Sequence, residues 1–320
     1  MVSLSAASHT LGNSAIGTGT LNVSRLFNVD GWVAVVTGGG TGLGLITAAA
    51  LAENGAKVYI TGRRGDVLEQ AALDATPKSG NGKVIAIQAD VATKEGILKL
   101  RDAIAKEETH INLLVNNHGV SQGAPKIDDC EQTPEGISKT MFEDETFERW
   151  AETYRINTTS YYFTSFAFLP LLAAAKKVSP EPGNILNISS MSGITRTSQR
   201  GQINYNASNA DRTPPRAATL SVSDQLATEF ARRNLGIRVN TLCPGYFPTG
   251  MTTILPDDQV SAAENAATFR GSGPGQWGIP LARPGNAVDY AQCIFGVVTN
   301  QYQTGSHIVI DGGWLLECAF

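Results

Sequence analysis

Seven short apolar runs, spread between residues 32 and 313, constrain this 320-residue chain more than any other feature. They are "WVAVVTG" from residue 32, "KVYITG" from 57, "KVIAIQ" from 83, "INLLVNN" from 111, "GNILNISS" from 183, "GIRVNTL" from 236 and "SHIVIDGG" from 306. Most are continuously apolar rather than alternating, the pattern of strands covered on both faces, as in parallel sheets. Segments of helical character lie between them, among them "LGLITAAALAENG" at 43–55, "KEGILKLRDAIAKE" at 94–107 and "TTSYYFTSFAFLPLLAAAKK" at 158–177. Strands alternating with helices in this way predict an α/β fold: a doubly wound parallel sheet of the Rossmann type, with about seven strands and helices on both faces. The chain shows no internal repeat and no second compositional regime, so residues 29–320 read as one domain. Residues 1–28, rich in Ser, Thr, Ala and Gly, read as a disordered tail.

Charge and cysteine content narrow the function. The formal net charge of −4 gives no reason to expect a nucleic-acid partner or an anionic membrane. No apolar run reaches the roughly 18 residues that span a bilayer. The four cysteines, Cys130, Cys243, Cys293 and Cys318, form no CxxC pair, so neither a disulfide framework nor a metal site is expected. A reducing compartment follows, with the cytoplasm as the expected location and a mitochondrial leader in the first 28 residues as the alternative.

The chemistry starts at "VVTGGGTGLG", where Gly38, Thr41, Gly42, Leu43 and Gly44 stand between the first strand and the first long helix. Glycine fits there because the turn is tight and the backbone must approach a pyrophosphate at the helix N-terminus, whose open N–H groups favour an anion. A nucleoside-triphosphate loop would end in Gly-Lys-Ser/Thr, but Leu45 and Ile46 follow Gly44. At the end of the second strand, where an acid would hold the ribose hydroxyls of NAD(H), stand Gly62, Arg63 and Arg64. Two arginines after an uncharged position favour a 2′-phosphate, so NADP(H) is the expected cofactor and NAD(H) the alternative.

With "TGGGTGLG", "NNHG" at 116–119, "ADV" at 89–91, "RINTTS" around Asn157, "ILNISSMSG", "PGYFPT" at 244–249 and "IVIDGG" at 308–313 in this order, residues 29–313 resemble the short-chain dehydrogenase/reductase family. His118 departs from the family's NNAG by replacing a small residue, and is expected to be packed or hydrogen-bonded rather than catalytic. The resemblance implies a hydride transfer between a nicotinamide and the carbon of a small-molecule carbonyl or alcohol. It assigns Tyr205 as acid/base, Ser190 as stabiliser of the carbonyl oxygen and Asn157 as anchor of a proton relay. It places Asp90 and Val91 at the adenine, Asn117 and Gly119 beside the adenosine, and Pro244, Gly245 and Thr249 at the nicotinamide. It also implies a homodimer or homotetramer built on the helices after Asn157 and Tyr205.

One departure bears on activity. The family places a lysine four residues after the tyrosine, where its charge lowers the phenol pKa and its amine holds the ribose; here Asn209 stands in that place. The stretch "NADRTPPR" at 209–216 takes the room of one residue before "AATLSVS", and Pro214 and Pro215 would interrupt a helix running through them. Three accounts stand open. Arg216, directly before Ala217 as the lysine would be, could return a charge to Tyr205; the chain could be a non-catalytic dinucleotide-binding or oligomer-partner protein; or the stretch could be an error of the gene model or a splice variant. Residues 121–144, polar with two prolines, and residues 246–285, rich in Gly and Pro, read as long loops, the second as a substrate lid.

Overall fold

In a parallel sheet covered on both sides, successive residues of each strand must satisfy opposite layers of helix. The computed structural model describes residues 21–179, 183–209, 218–250, 268–270 and 277–318, and within them the seven runs form β1 (Val33–Thr37), β2 (Lys57–Gly62), β3 (Lys83–Gln88), β4 (Leu113–Asn116), β5 (Asn184–Ile188), β6 (Arg238–Pro244) and β7 (His307–Ile310). All pairings are parallel, in the order β3-β2-β1-β4-β5-β6-β7. Every residue of β1, β4, β5 and β6 is buried, whereas the edge strands β3 and β7 are partly exposed. The order runs outward from β1 in both directions, which makes a crevice at the strand C-termini between β1 and β4.

The helices are α1 (Val23–Leu26), α2 (Gly42–Glu53), α3 (Gly65–Ala75), α4 (Lys94–Glu107), α5 (Pro134–Glu143), α6 (Phe147–Tyr154), α7 (Ser160–Ala174), α8 (Ile203–Asn209), α9 (Ala218–Arg232), α10 (Ala287–Val298) and α11 (Trp314–Cys318). Ala34, Val36, Val58 and Leu186 pack with Leu51 of α2, Leu68 of α3 and Ile294 of α10 in one core layer. Their neighbours Val33, Val35, Tyr59 and Ile185 pack with Leu100 of α4, Phe168 of α7 and Phe230 of α9 in the other. The two-residue period of the strands therefore builds two separate cores from one sheet.

Three local features depart from the sequence reading. Residues 121–144 are not one loop, because α5 begins there with Thr133 as N-cap, accepting from Gly136 N, and Pro134 in the first turn. Between α6 and α7 the helix widens into a π-turn over Arg155–Thr159. The end of the tail segment forms the single turn α1, capped by Asn22, whose side chain accepts from Ser24 N.

Candidate active site

Glycines shape one wall of a cavity of about 680 Å³ at the C-terminal ends of the strands. Gly38 and Gly42 take left-handed backbone angles, φ 63° and 55°. A Cβ on Gly38 would lie 2.8 Å from His118 Cα, so the turn presses against the backbone after β4. Thr41 is the N-cap of α2 but makes no side-chain capping bond, which leaves first-turn N–H groups available to an anion. Gly44 does not line the cavity. It lies behind the wall, where a Cβ would sit 2.3 Å from the Gly38 carbonyl oxygen and 2.4 Å from Asn117 Nδ2.

The same cavity brings together residues far apart in sequence. Gly38, Thr41, Gly42, Leu43, Arg63, Arg64, Asp90, Val91, Asn117, Gly119, Pro244, Gly245 and Thr249 all line it. Both arginines are exposed at the end of β2, with Gln88 Nε2 donating to the Arg63 carbonyl at 2.7 Å. The Asn117 amide donates to the carbonyls of Thr37 and Gly38 at 3.1 and 3.2 Å, tying β4 to the glycine turn. Asp90 turns its carboxylate onto its own loop, accepting from Ala92 N at 3.0 Å.

At the other end the cavity is lined by Asn157, Ser190, Tyr205 and Asn209. Ser190 follows β5 and its Oγ accepts from Ser192 N at 3.1 Å. Its side chain is near enough to act on the phenol of the half-buried Tyr205. Burial pushes the Tyr205 pKa up, and the Ser190 side chain works in the opposite direction without cancelling it. Asn157 lies in the π-turn, a distortion common at functional sites. Its carboxamide is fixed at both ends, accepting from Val120 N at 2.8 Å and donating to the Val120 carbonyl at 3.0 Å and Ser208 Oγ at 3.1 Å. Thr219 Oγ1 lies 2.9 Å from the Asn157 backbone carbonyl oxygen. Asn209 ends α8, where its Nδ2 donates to the Tyr205 carbonyl at 3.0 Å and to Ser208 Oγ at 3.2 Å. Arg216 and most of the expected lid, residues 251–267 and 271–276, lie outside the described residues.

His118 is held as the sequence reading expected, by contacts the sequence did not reveal. Its Nδ1 lies 2.7 Å from Thr37 Oγ1 and its Nε2 2.5 Å from Ser160 Oγ, which joins β1, β4 and α7. Burial lowers its pKa to about 3, so the ring is neutral. The Tyr161 ring packs edge-on against it, with centroids 4.9 Å apart. The Tyr161 hydroxyl is 2.9 Å from the carbonyls of both His118 and Ile188. Tyr161 also lines the cavity. The sequence reading missed it, although its spacing of four from Asn157 is a signal that both face one side of a helix.

The family model described as short chain dehydrogenase matches residues 32–260. The chain belongs to the short-chain dehydrogenase/reductase family. Among its relatives in this family is the short-chain dehydrogenase/reductase PhomF of Diaporthe leptostromiformis, 34% identical over 307 residues, with 93% of this chain and 96% of the relative covered. Another is the rhamnolipids biosynthesis 3-oxoacyl-[acyl-carrier-protein] reductase of Pseudomonas aeruginosa, 31% identical over 290 residues, covering 91% and 98% of the two chains. Among solved structures, the Pseudomonas aeruginosa RhlG/NADP active-site complex superposes with a TM-score of 0.71 at 28% identity, covering 90% of this chain and 98% of that one. Like its relatives in this dehydrogenase/reductase family, the chain is an oxidoreductase of the Rossmann type. Among the described residues no helix is long and apolar enough to cross a membrane, and no cluster of His, Cys, Asp or Glu could hold a metal.

Proposed function

We propose that this chain is an NADP(H)-preferring oxidoreductase that interconverts a carbonyl and an alcohol, with Tyr205 as acid/base and Ser190 as stabiliser of the carbonyl oxygen. The observation that carries the reading is that Ser190 and Tyr205 line the same cavity as the glycine turn. The residues fit a dinucleotide. A Cβ at Gly38 would enter the space of the neighbouring backbone, and the uncapped start of α2 suits a pyrophosphate. Arg63 and Arg64 supply the cations a 2′-phosphate requires, and the cavity lining there includes no carboxylate from β2; the likeness to the RhlG/NADP complex supports the same preference. Asp90 and Val91 would flank the adenine, Asn117 and Gly119 the adenosine, and Pro244, Gly245 and Thr249 the nicotinamide carboxamide. Bound there, a reduced nicotinamide supplies a hydride.

The protein's own groups do the rest. Tyr205 holds the proton at its phenol oxygen and passes it to the substrate oxygen. The Ser190 hydroxyl hydrogen-bonds that oxygen as charge develops on it. Asn157, clamped to Val120 and Ser208, steadies the segment after Tyr205, and Asn209, with its Nδ2 committed to the Tyr205 carbonyl and Ser208 Oγ, leaves its amide oxygen for the ribose where the family has a lysine. Reduction of a ketone and aldehyde panel with NADPH tests the reading: Tyr205→Phe should abolish turnover while NADPH binding persists, and retained turnover would refute it.

One observation favours a second reading, a non-catalytic dinucleotide-binding protein. The Asn209 side chain is turned onto the Tyr205 carbonyl and brings no charge to the phenol. NADPH binding without turnover by the chain as it stands would decide for it. Arg216, by its place before Ala217, is the proposed substitute cation, and Arg216→Ala should then cut turnover sharply. We place the protein in the cytoplasm, in keeping with the wide spacing of its four cysteines. The exposed Tyr162 and Phe166 of α7 support assembly through that helix, which size-exclusion chromatography would read directly.

A further inference from the structure

Resting on the reading of this cavity as a reductase site, we propose that His118 is a positioning residue that ties the cofactor end of the cavity to its catalytic end. His118 follows β4, which lies in the sheet between β1, whose end carries the glycine turn, and β5, whose end carries Ser190. Toward β1, its Nδ1 lies 2.7 Å from the Oγ1 of Thr37, the residue directly before Gly38. Toward α7, its Nε2 lies 2.5 Å from the Oγ of Ser160, the first residue after the π-turn that holds Asn157. Toward β5, its ring packs edge-on against Tyr161, whose hydroxyl is 2.9 Å from the carbonyl of Ile188, two residues before Ser190. His118 itself lines the cavity.

The hydrogens in this chain of contacts run one way. Ser160 gives its hydroxyl hydrogen to the Ile156 carbonyl at 2.6 Å, so its oxygen accepts from His118 Nε2–H. Thr37 Oγ1 accepts from Asn117 N at 2.9 Å and lies 3.3 Å from His118 N, which engages its lone pairs. Its hydrogen is left for His118 Nδ1, nearer at 2.7 Å than the Val115 carbonyl at 3.1 Å. A neutral imidazole donates at one edge and accepts at the other, so one side chain holds two hydroxyls on different elements, which the small residue of the family cannot do. The glycine turn rests on backbone as well: a Cβ on Gly38 would meet His118 Cα at 2.8 Å, a contact that any residue at 118 keeps. Loss of the ring should therefore leave the dinucleotide bound and loosen the register between the nicotinamide and Ser190. Reacting groups displaced by about 1 Å can lose about 100-fold in rate.

Two comparisons on the whole chain test this. In NADPH-dependent reduction of a carbonyl panel, His118→Ala should lower kcat at least about tenfold, with NADPH affinity by fluorescence titration unchanged within error. An unchanged kcat, or a kcat and an affinity that fall together, would overturn the proposal. Ser160→Ala removes one partner and leaves the ring, so it should lower kcat in the parent and have much less effect in the His118→Ala background; equal effects in both backgrounds would show that the two residues act separately. The second comparison needs no turnover. The emission of bound NADPH at saturation reports the surroundings of its nicotinamide, and it should differ between the parent and His118→Ala although both bind equally well. Identical emission would refute the altered placement, and Ser160→Ala serves the same comparison if His118→Ala does not fold. A parent that binds NADPH and reduces no carbonyl would overturn the reductase reading instead, and the emission would then decide the role of His118 by itself.

Discussion

Thr219 donates from Oγ1 to the carbonyl oxygen of Ser208 at 2.8 Å, although the two residues are eleven apart in sequence. The same bond joins residues four apart inside helices elsewhere in the chain, at 2.8 Å from Thr47 to Leu43, 2.9 Å from Thr153 to Arg149 and 2.7 Å from Thr299 to Phe295. Thr219 thus stands to Ser208 as a residue one helical turn further on, with seven residues more between them than such a turn contains. Thr158 Oγ1 bonds the same Ser208 carbonyl at 2.9 Å, and Ser189 Oγ bonds that of Asn209 at 3.0 Å. The carbonyls released where α8 stops are therefore satisfied by hydroxyls.

Replacing residues 209–216 by a single lysine should therefore join α8 and α9 in register and leave the fold intact. Circular dichroism should show helix retained, with a melting temperature equal to or above that of the parent. NADPH-dependent turnover should rise at least about tenfold, because a cation near the phenol is worth on the order of 4 kcal/mol in an effective dielectric near 20. A variant that folds but turns over no faster would show that the charge at this position is not what the site lacks.

Ser190→Ala removes one donor from the site of developing charge. We expect kcat to fall by about 10²- to 10³-fold, the usual loss for such a donor, with NADPH affinity unchanged by fluorescence titration. A parallel fall in affinity would place Ser190 in cofactor binding instead.

Arg63→Ala should raise KM for NADPH about tenfold or more while leaving KM for NADH nearly unchanged, since only the former has a phosphate to lose a charge-assisted bond. Arg64→Ala provides the comparison, because Arg64 is also the N-cap of α3. Equal effects on both cofactors would speak against a 2′-phosphate site.

His118 makes stability depend on acid. Its folded pKa of about 3 lies below the ordinary value of 6.5, so the unfolded chain binds the extra proton first. The native state is therefore unaffected above about pH 6.5 and progressively disfavoured as pH falls toward 3. Urea unfolding should show a loss of up to about 2 kcal/mol between pH 7 and pH 5 from this residue, and His118→Gln should lessen that loss. A pH dependence identical in the two proteins would show that the ring reaches solvent.

Much of the sheet was legible in the sequence because strands covered on both faces must be apolar throughout, and β2 and β3 coincide with the runs "KVYITG" and "KVIAIQ". The cavity lining was legible where backbone geometry demands a residue type, as at Gly38 and Gly42. Gly44 was misplaced because its role is close packing behind the wall, and spacing alone does not separate the two. Helix α5 carried a readable signal in Thr133, Pro134 and Glu135, an N-cap, a first-turn proline and a first-turn acid, overlooked among polar neighbours. The partners of His118 and Thr219 had no local signal, since Thr37, Ser160 and Ser208 meet them only through the fold.

The π-turn at Arg155–Thr159 has a consequence for how this region tolerates change. The widened turn takes up one residue more than an α-helical turn holds, so the spacing of buried positions shifts by one in sequence across it while α6 and α7 keep their places. Deleting one residue within 155–159 should therefore let the segment close into a regular helix with Tyr161 and Phe168 still buried. The same deletion inside α7 has no such slack and would carry Tyr162 and Phe166 inward.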